Sequence, residues 1–155
     1  MPKRRDQIRM SDEEFWQFVE SQKTVQVATV QRDGSPHLMP LWFAVEDGAI
    51  VLETFSKSQK VKNLERDPRI TLLFEDGGEY NALRGASIGT RAELVQDDIE
   101  RIHALHMAVL LRNTPDIPRD VLEQASRSMA PKKTAILVRP EKIVSWDHSK
   151  LEGIY

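Results

Sequence analysis

Residues Thr54 to Arg69, TFSKSQKVKNLERDPR, place three hydroxyl side chains and five cations within a single turn and the short helix that follows it. Ser56 and Ser58 are both N-cap types, and Ser56 with Gln59 has the S-x-x-Q spacing of a capping box. Asp67-Pro68 disfavours helix beyond Arg66. Lys57 and Lys60 fall on neighbouring faces of the first turn, and Asn63 continues the Lys60 row. A helix start offers unpaired N–H groups and partial positive charge, so hydroxyls and lysines beside it suit a phosphate. The same residues equally describe a capped surface helix with solvated lysines, and physical chemistry alone leaves both readings open.

The surrounding segments decide what such a turn would be attached to. SDEEFWQFVESQ carries a capping box, Ser11 with Glu14, before a helical apolar face of Phe15, Trp16, Phe18 and Val19. TVQVATVQ alternates as a strand, Asp33-Gly34 signals a hairpin, and HLMPLWFAVE returns as its partner. Asp47-Gly48 then leads into AIVLETF, so helix and three-stranded meander are expected before the phosphate-like turn. ITLLFED and YNALRGASIGTRAELV read as further strands, with Gly85 and Gly89 marking a bulge or a close backbone approach. QDDIERIHALHMAVLLR and the stretch between Pro118 and Pro131 read as two helices, the first with Ile99, Ile102, Leu105 and Val109 inward. TAILVRP and KIVSW close the chain as strands before a polar tail. The expected fold is mainly β with helices (α+β), an antiparallel barrel that removes exposed edges by closing. Residues 1–155 make one domain, with 1–10 as a solvated leader, 96–131 as a helical insertion and 147–155 as a tail.

Composition narrows the classes of function. A chain of 155 residues can bury a real core, and a net charge of −2 gives no general pull toward nucleic acid or anionic membrane. There is no cysteine, which excludes disulfides, thiol catalysis and thiolate metal sites and fits a cytoplasmic protein. No apolar run approaches the roughly 20 residues of a membrane helix, and MPKRRDQIRM lacks the apolar segment of a signal peptide.

The order GSPHLMPLWF, ETFSKSQKVKNLERDPR, ITLLFED resembles the pyridoxamine-phosphate-oxidase-like flavin-binding split-barrel superfamily, from about Phe15 to Trp146. It is most similar there to the branch of reductases that use the deazaflavin coenzyme F420. The motifs carrying the resemblance are S-x-K-x-x-N-L-x-R-D-P-R, Ser58 to Arg69, and P-x-W-F, Pro40 to Phe43. It implies a split-barrel homodimer with two cofactors in grooves at the subunit interface. The family's phosphate-contacting positions fall on His37, Thr54, Ser58 and Lys60, with Ser56, Lys57 and Asn63 nearby. Its ring-facing strand falls on Met39, Pro40, Leu41 and Trp42.

Flavin-mononucleotide (FMN) oxidases of the superfamily usually carry Arg at the His37 position and Lys at the Trp42 position. Losing those two cations while keeping Lys57, Lys60, Lys62, Arg66 and Arg69 suits a longer polyanionic ligand such as the lactate-glutamate tail of F420. The ending WDHSKLEGIY lacks the arginine- and proline-containing terminus of the vitamin-B6 oxidases, so that activity is rejected. Other candidates weigh less. His103 and His106, three apart, read as part of a surface or partly packed helix more readily than as metal ligands. Trp42 suits a ring-pocket wall or barrel filling equally. Pro40 marks an edge or bulged strand. Arg84-Gly85 could reach across a dimer, and Trp146, Asp147 and His148 could cover a cofactor or form an ordinary tail. No hydrolase constellation is present. The expectation is therefore an oxidoreductase passing a hydride between reduced F420 and a small electron-poor acceptor, without a designated catalytic side chain. The alternatives are an FMN-dependent oxidoreductase and a non-catalytic flavin- or haem-binding module of the same fold.

Overall fold

The computed structural model describes residues 3–151. In chain order, helices α1 (Arg4–Gln7) and α2 (Asp12–Ser21) precede strands β1 (Thr24–Val30), β2 (Pro36–Trp42), β3 (Ala44–Glu46) and β4 (Ala49–Phe55). Helix α3 (Gln59–Arg66) leads to β5 (Arg69–Asp76), β6 (Arg84–Arg91) and β7 (Glu93–Val95). The helical pair α4 (Ile99–Asn113) and α5 (Arg119–Met129) comes next, followed by β8 (Lys133–Val138) and β9 (Lys142–Asp147).

All strand pairings are antiparallel, in a five-stranded sheet of order β2-β1-β5-β6-β9 and a four-stranded sheet of order β3-β4-β8-β7. The fold is the expected α+β split barrel. The expected three-stranded meander is corrected: β2 pairs with β1, whereas β4 pairs with β3 and β8 in the other sheet. The break falls at Phe43, which is fully buried and meets Phe74 edge to face at 5.0 Å. A second strand changes sheet at Ala92, whose N–H donates to the Pro68 carbonyl at 2.8 Å. Turning a corner at these two residues lets both sheets share one apolar interior.

The burial patterns follow from position. In β5 inward and outward residues alternate, as in a sheet with one wet face. In β8 every residue is buried, and β4 is nearly so, because the interior covers one face and α4 the other. That explains why AIVL and TAILV are continuous apolar runs. Ile102 and Val109 pack on this outer face with Val51, Ala135 and Leu137, but Ile99, expected inward, is 49% exposed at the start of α4.

Local signals act as physical chemistry requires. Glu14 N–H donates to Ser11 Oγ, and Ser11 N–H donates to Glu14 Oε2 at 2.7 Å, completing the α2 capping box. Asp47 (φ 49°) and Gly48 (φ 72°) both occupy the left-handed region that a two-residue hairpin loop demands. Gly85 is a close approach: a Cβ there would stand 2.1 Å from the Trp146 ring. The basic N-terminus is not solvated along its length. Residues 4–7 form a helical turn, Met10 is buried with its N–H donating to Ser145 Oγ at 3.1 Å, and Asp147 N–H donates to the Ile8 carbonyl at 2.7 Å. Of the tail, 152–155 lie outside the described residues.

Candidate functional site

Strand β2 is an edge, and it is apolar where edges are usually charged. Leu38 is 61% exposed, Met39 48% and Trp42 41%. Its register against β1 puts His37, Met39 and Leu41 on the face of Val25, Val27 and Thr29, and Pro40 and Trp42 on the other. Where the C-terminal end of β2 passes the end of β4, a groove of about 450 Å³ opens. Pro40, Leu41 and Trp42 form one wall, and Glu53, Thr54 and Phe55 with Lys133 form the other, with Thr24 at the margin. Trp42 thus walls a groove; the barrel-filling aromatic is its neighbour Phe43.

Beyond Thr54 the chain turns into α3. Ser58 is the N-cap, its hydroxyl accepting from Val61 N–H, while Ser56 Oγ lies 2.9 Å from Thr134 Oγ1. The Ser56–Gln59 box is therefore not formed: Ser56 ties the turn to β8. Asn63 is fully buried, donates to Thr29 Oγ1 at 3.0 Å and accepts from Gln59 Nε2 at 2.8 Å, so it fastens α3 to β1. His37, opposite Thr29 in the register, has a buried Nδ1 with no hydrogen-bond partner among the described residues.

The five cations of this stretch divide sharply. Arg69 forks onto Asp67, whose carboxyl its hydrogen bonds hold down to about 2. Lys62 pairs with Glu65, and Arg66 donates to the Val30 carbonyl and to Asn63 Oδ1. Among the described residues, Lys57 and Lys60 have no carboxylate partner. Lys60 is half-buried, and loss of hydration pushes its pKa below the ordinary lysine value. An ammonium kept partly dry without a counter-ion is poised for an anion.

The sequence reading missed the far wall. Lys133 is 7% exposed, with Nζ 2.9 Å from Glu53 Oε2 and 4.0 Å from the centroid of the Phe55 ring. The pair is ionic rather than aligned as a hydrogen bond, and Glu53 Oε2 has no aligned donor. Behind it, His106 Nε2 lies 3.5 Å from Glu53 Oε1, and His106 Nδ1 is buried with no hydrogen-bond partner among the described residues. Burial pushes the His106 pKa down, against the pull of Glu53. His103, three residues earlier, is buried with Nδ1 2.9 Å from Ser126 Oγ. The two histidines therefore sit in the interior, not on a helix surface, and the described residues hold no metal-ligating cluster. The signal for the missed wall was a lone Glu within AIVLETF and a Lys heading TAILV, both charges set in strands buried on both faces.

A comparison of the whole sequence with family profiles matches residues 11–147 to pyridoxamine 5'-phosphate oxidase. The chain belongs to the pyridoxamine 5'-phosphate oxidase family. No curated protein matches the sequence. Among solved structures, a conserved hypothetical protein from Mycobacterium tuberculosis is similar over 99% of this chain and 96% of its own, at 40% identity and TM-score 0.88. An F420 reductase (21% identity, 87% and 95% covered, TM-score 0.64) and the haem storage protein HutZ from Vibrio cholerae (20%, 86% and 94%, 0.65) share the fold. In this member of the pyridoxamine 5'-phosphate oxidase family, the motif regions fall on the β2 edge, the groove and the α3 start. Among the described residues no helix is long and apolar enough to cross a membrane.

Proposed function

We propose that this protein is an oxidoreductase in which the groove holds the deazaflavin coenzyme F420 and passes a hydride between it and a small electron-poor acceptor. The observation that carries this reading is the pair of unpartnered lysines, Lys57 and Lys60, at the Ser58-capped start of α3. They follow shortly in sequence after Thr54, which lines the groove beside Pro40, Leu41, Trp42 and Phe55. The unpartnered, buried His37 Nδ1 also fits a phosphate oxygen or its bound water. Thr54, Ser58, Lys57 and Lys60 would hold the phosphate and the start of the anionic tail; Pro40, Leu41, Trp42 and Met39 would lie along the ring. The bound group supplies the hydride chemistry, while the protein positions the ring and excludes water. Asn63 supports the clamp by fixing α3 rather than by donating to the ligand. Ser56 does the same through Thr134.

The loss of cationic side chains at His37 and Trp42 favours F420 over FMN. The edge apolarity of Leu38, Met39 and Trp42 supports a homodimer in which a second copy completes the groove. Mixing the protein anaerobically with reduced F420 and cyclohex-2-enone tests the reaction. Recovery of the oxidised coenzyme's visible absorbance, dependent on protein, is the expected result; no acceleration over the protein-free mixture overturns hydride transfer.

A further inference from the structure

The Glu53–Lys133–His106 cluster has no part in holding a phosphate, yet it sets Glu53 and Lys133 in one wall of the groove, with His106 behind Glu53. Lys133 and His106 are more than nine-tenths buried. Placing charge there is costly unless it is paired, and it recurs in proteins where a function uses it. We propose that Lys133 donates a hydrogen bond to the carbonyl oxygen of a conjugated carbonyl compound bound in the groove, with Glu53 and His106 as positioning residues. This rests on the hydride-transfer reading above.

Three features support it. An ammonium has three N–H groups. Glu53 Oε2 at 2.9 Å, an ion pair without an aligned N–H, and the Phe55 face at 4.0 Å flank the ammonium, and Lys133 also lines the open groove. Register fixes this geometry, because Phe55 and Lys133 lie directly opposite each other in the β4–β8 pair and Glu53 follows on the same face. The charge balance then selects the ligand. Lys133 and Glu53 neutralise one another, and burial disfavours a charge on His106, so the cluster gives a carboxylate little net attraction. A neutral carbonyl oxygen that becomes negative only during reaction gains most from a fixed donor. The exposed face of Phe55, across the groove from the Pro40 and Trp42 wall, receives its hydrocarbon part.

Atoms and electrons would balance with a reduced deazaflavin as the two-electron reductant, giving up the electron pair of one C–H bond as hydride to form a C–H bond at the β-carbon. The C=C pair would shift to make an enolate, whose oxygen Lys133 Nζ holds by its hydrogen bond. A proton from water would then go to the α-carbon and regenerate the carbonyl, and the hydroxide left would take the proton that the oxidised coenzyme releases.

The test uses 4-nitrophenol, whose planar phenolate imitates the enolate and whose colour reports its ionisation without cofactor. Below the free phenol's pKa, the parent protein should raise the bound phenolate-to-phenol ratio about tenfold, one pKa unit. Lys133→Met should abolish the shift and Lys133→Arg should recover part of it. Because Lys133→Met strands Glu53 without a counter-charge, the double variant Glu53→Gln/Lys133→Met, which removes both charges at similar volume, keeps the test meaningful if the single one fails to fold. An unchanged shift in a folded variant lacking Lys133, or no shift in the parent, overturns the proposal. Titrating F420 into the same proteins separates the two readings. Unchanged coenzyme affinity with a lost phenolate shift supports the Lys133 role. If the parent fails to bind F420 but shows a Lys133-dependent shift, the deazaflavin reading falls and the donor role stands.

Discussion

Lys60→Ala separates a phosphate clamp from a capped surface helix. In the free protein Lys60 makes no ion pair among the described residues, and its partial burial costs it hydration. Removing it should therefore leave folding stability within about 0.5 kcal/mol of the parent. If its ammonium meets a phosphate oxygen, the variant loses a hydrogen bond to a charged group, worth roughly 1.5–3 kcal/mol. That is a loss of about 10- to 140-fold in affinity. Fluorescence-quenching titrations with F420, run beside thermal melts of the cofactor-free proteins, read both quantities. Lys142→Ala, exposed on β9 away from the groove, is the matched control and should change neither. The effect should also shrink in high salt, as for any partly exposed charge contact. If Lys60→Ala binds the coenzyme as tightly as the parent does, Lys60 is only a helix lysine and the clamp argument is refuted.

Other outcomes follow from the same structure. Light scattering should show a dimer, whose interface should bury over about 2,000 Å² in total, and Leu38→Asp on the exposed β2 edge should shift it toward monomer; a parent that is monomeric at micromolar concentration contradicts the shared groove. Gly85→Ala, which drives a methyl into the Trp146 ring, should destabilise by about 1–3 kcal/mol in urea unfolding, and an unchanged midpoint would show that the ring simply moves aside. Burial lowers the His106 pKa below the ordinary histidine value of 6.5. The unfolded chain thus takes up the proton first, so stability should fall as pH drops below about 6.5, down to the folded-state pKa. His106→Gln should flatten the melting temperature over that window, and an equal slope in both proteins rules His106 out as the source. Burial lowers this pKa most, Glu53 raises it, and Lys133 and His103 lower it further, so the comparison belongs in one buffer series.

Most of the framework was legible because it is written in local chemistry. The Ser11–Glu14 box, the Asp47-Gly48 hairpin and the Asp67-Pro68 stop each act through neighbouring backbone, and each forms as read. The meander was misread because HLMPLWFAVE has no break residue at Phe43. A tertiary corner separates two strands that local pattern joins. Trp42 and Phe43 show the same limit, since two adjacent aromatics point to opposite fates and only the register assigns wall and core. The basic turn was visible as charge density, but not that Arg69, Arg66 and Lys62 are already engaged. Glu53, Lys133 and His106 lie in three elements far apart in sequence, so nothing short of the β4–β8 register and the packing of α4 could bring them together.

The central claim is that the groove and the α3 start together bind a deazaflavin with an anionic tail. Isothermal titration of the intact protein with F420 and, separately, with FMN tests it most directly. The account predicts saturable binding of F420 at one per chain, tighter than FMN and weakened by salt. Tighter binding of FMN, or heat that reflects neither ligand, would contradict it.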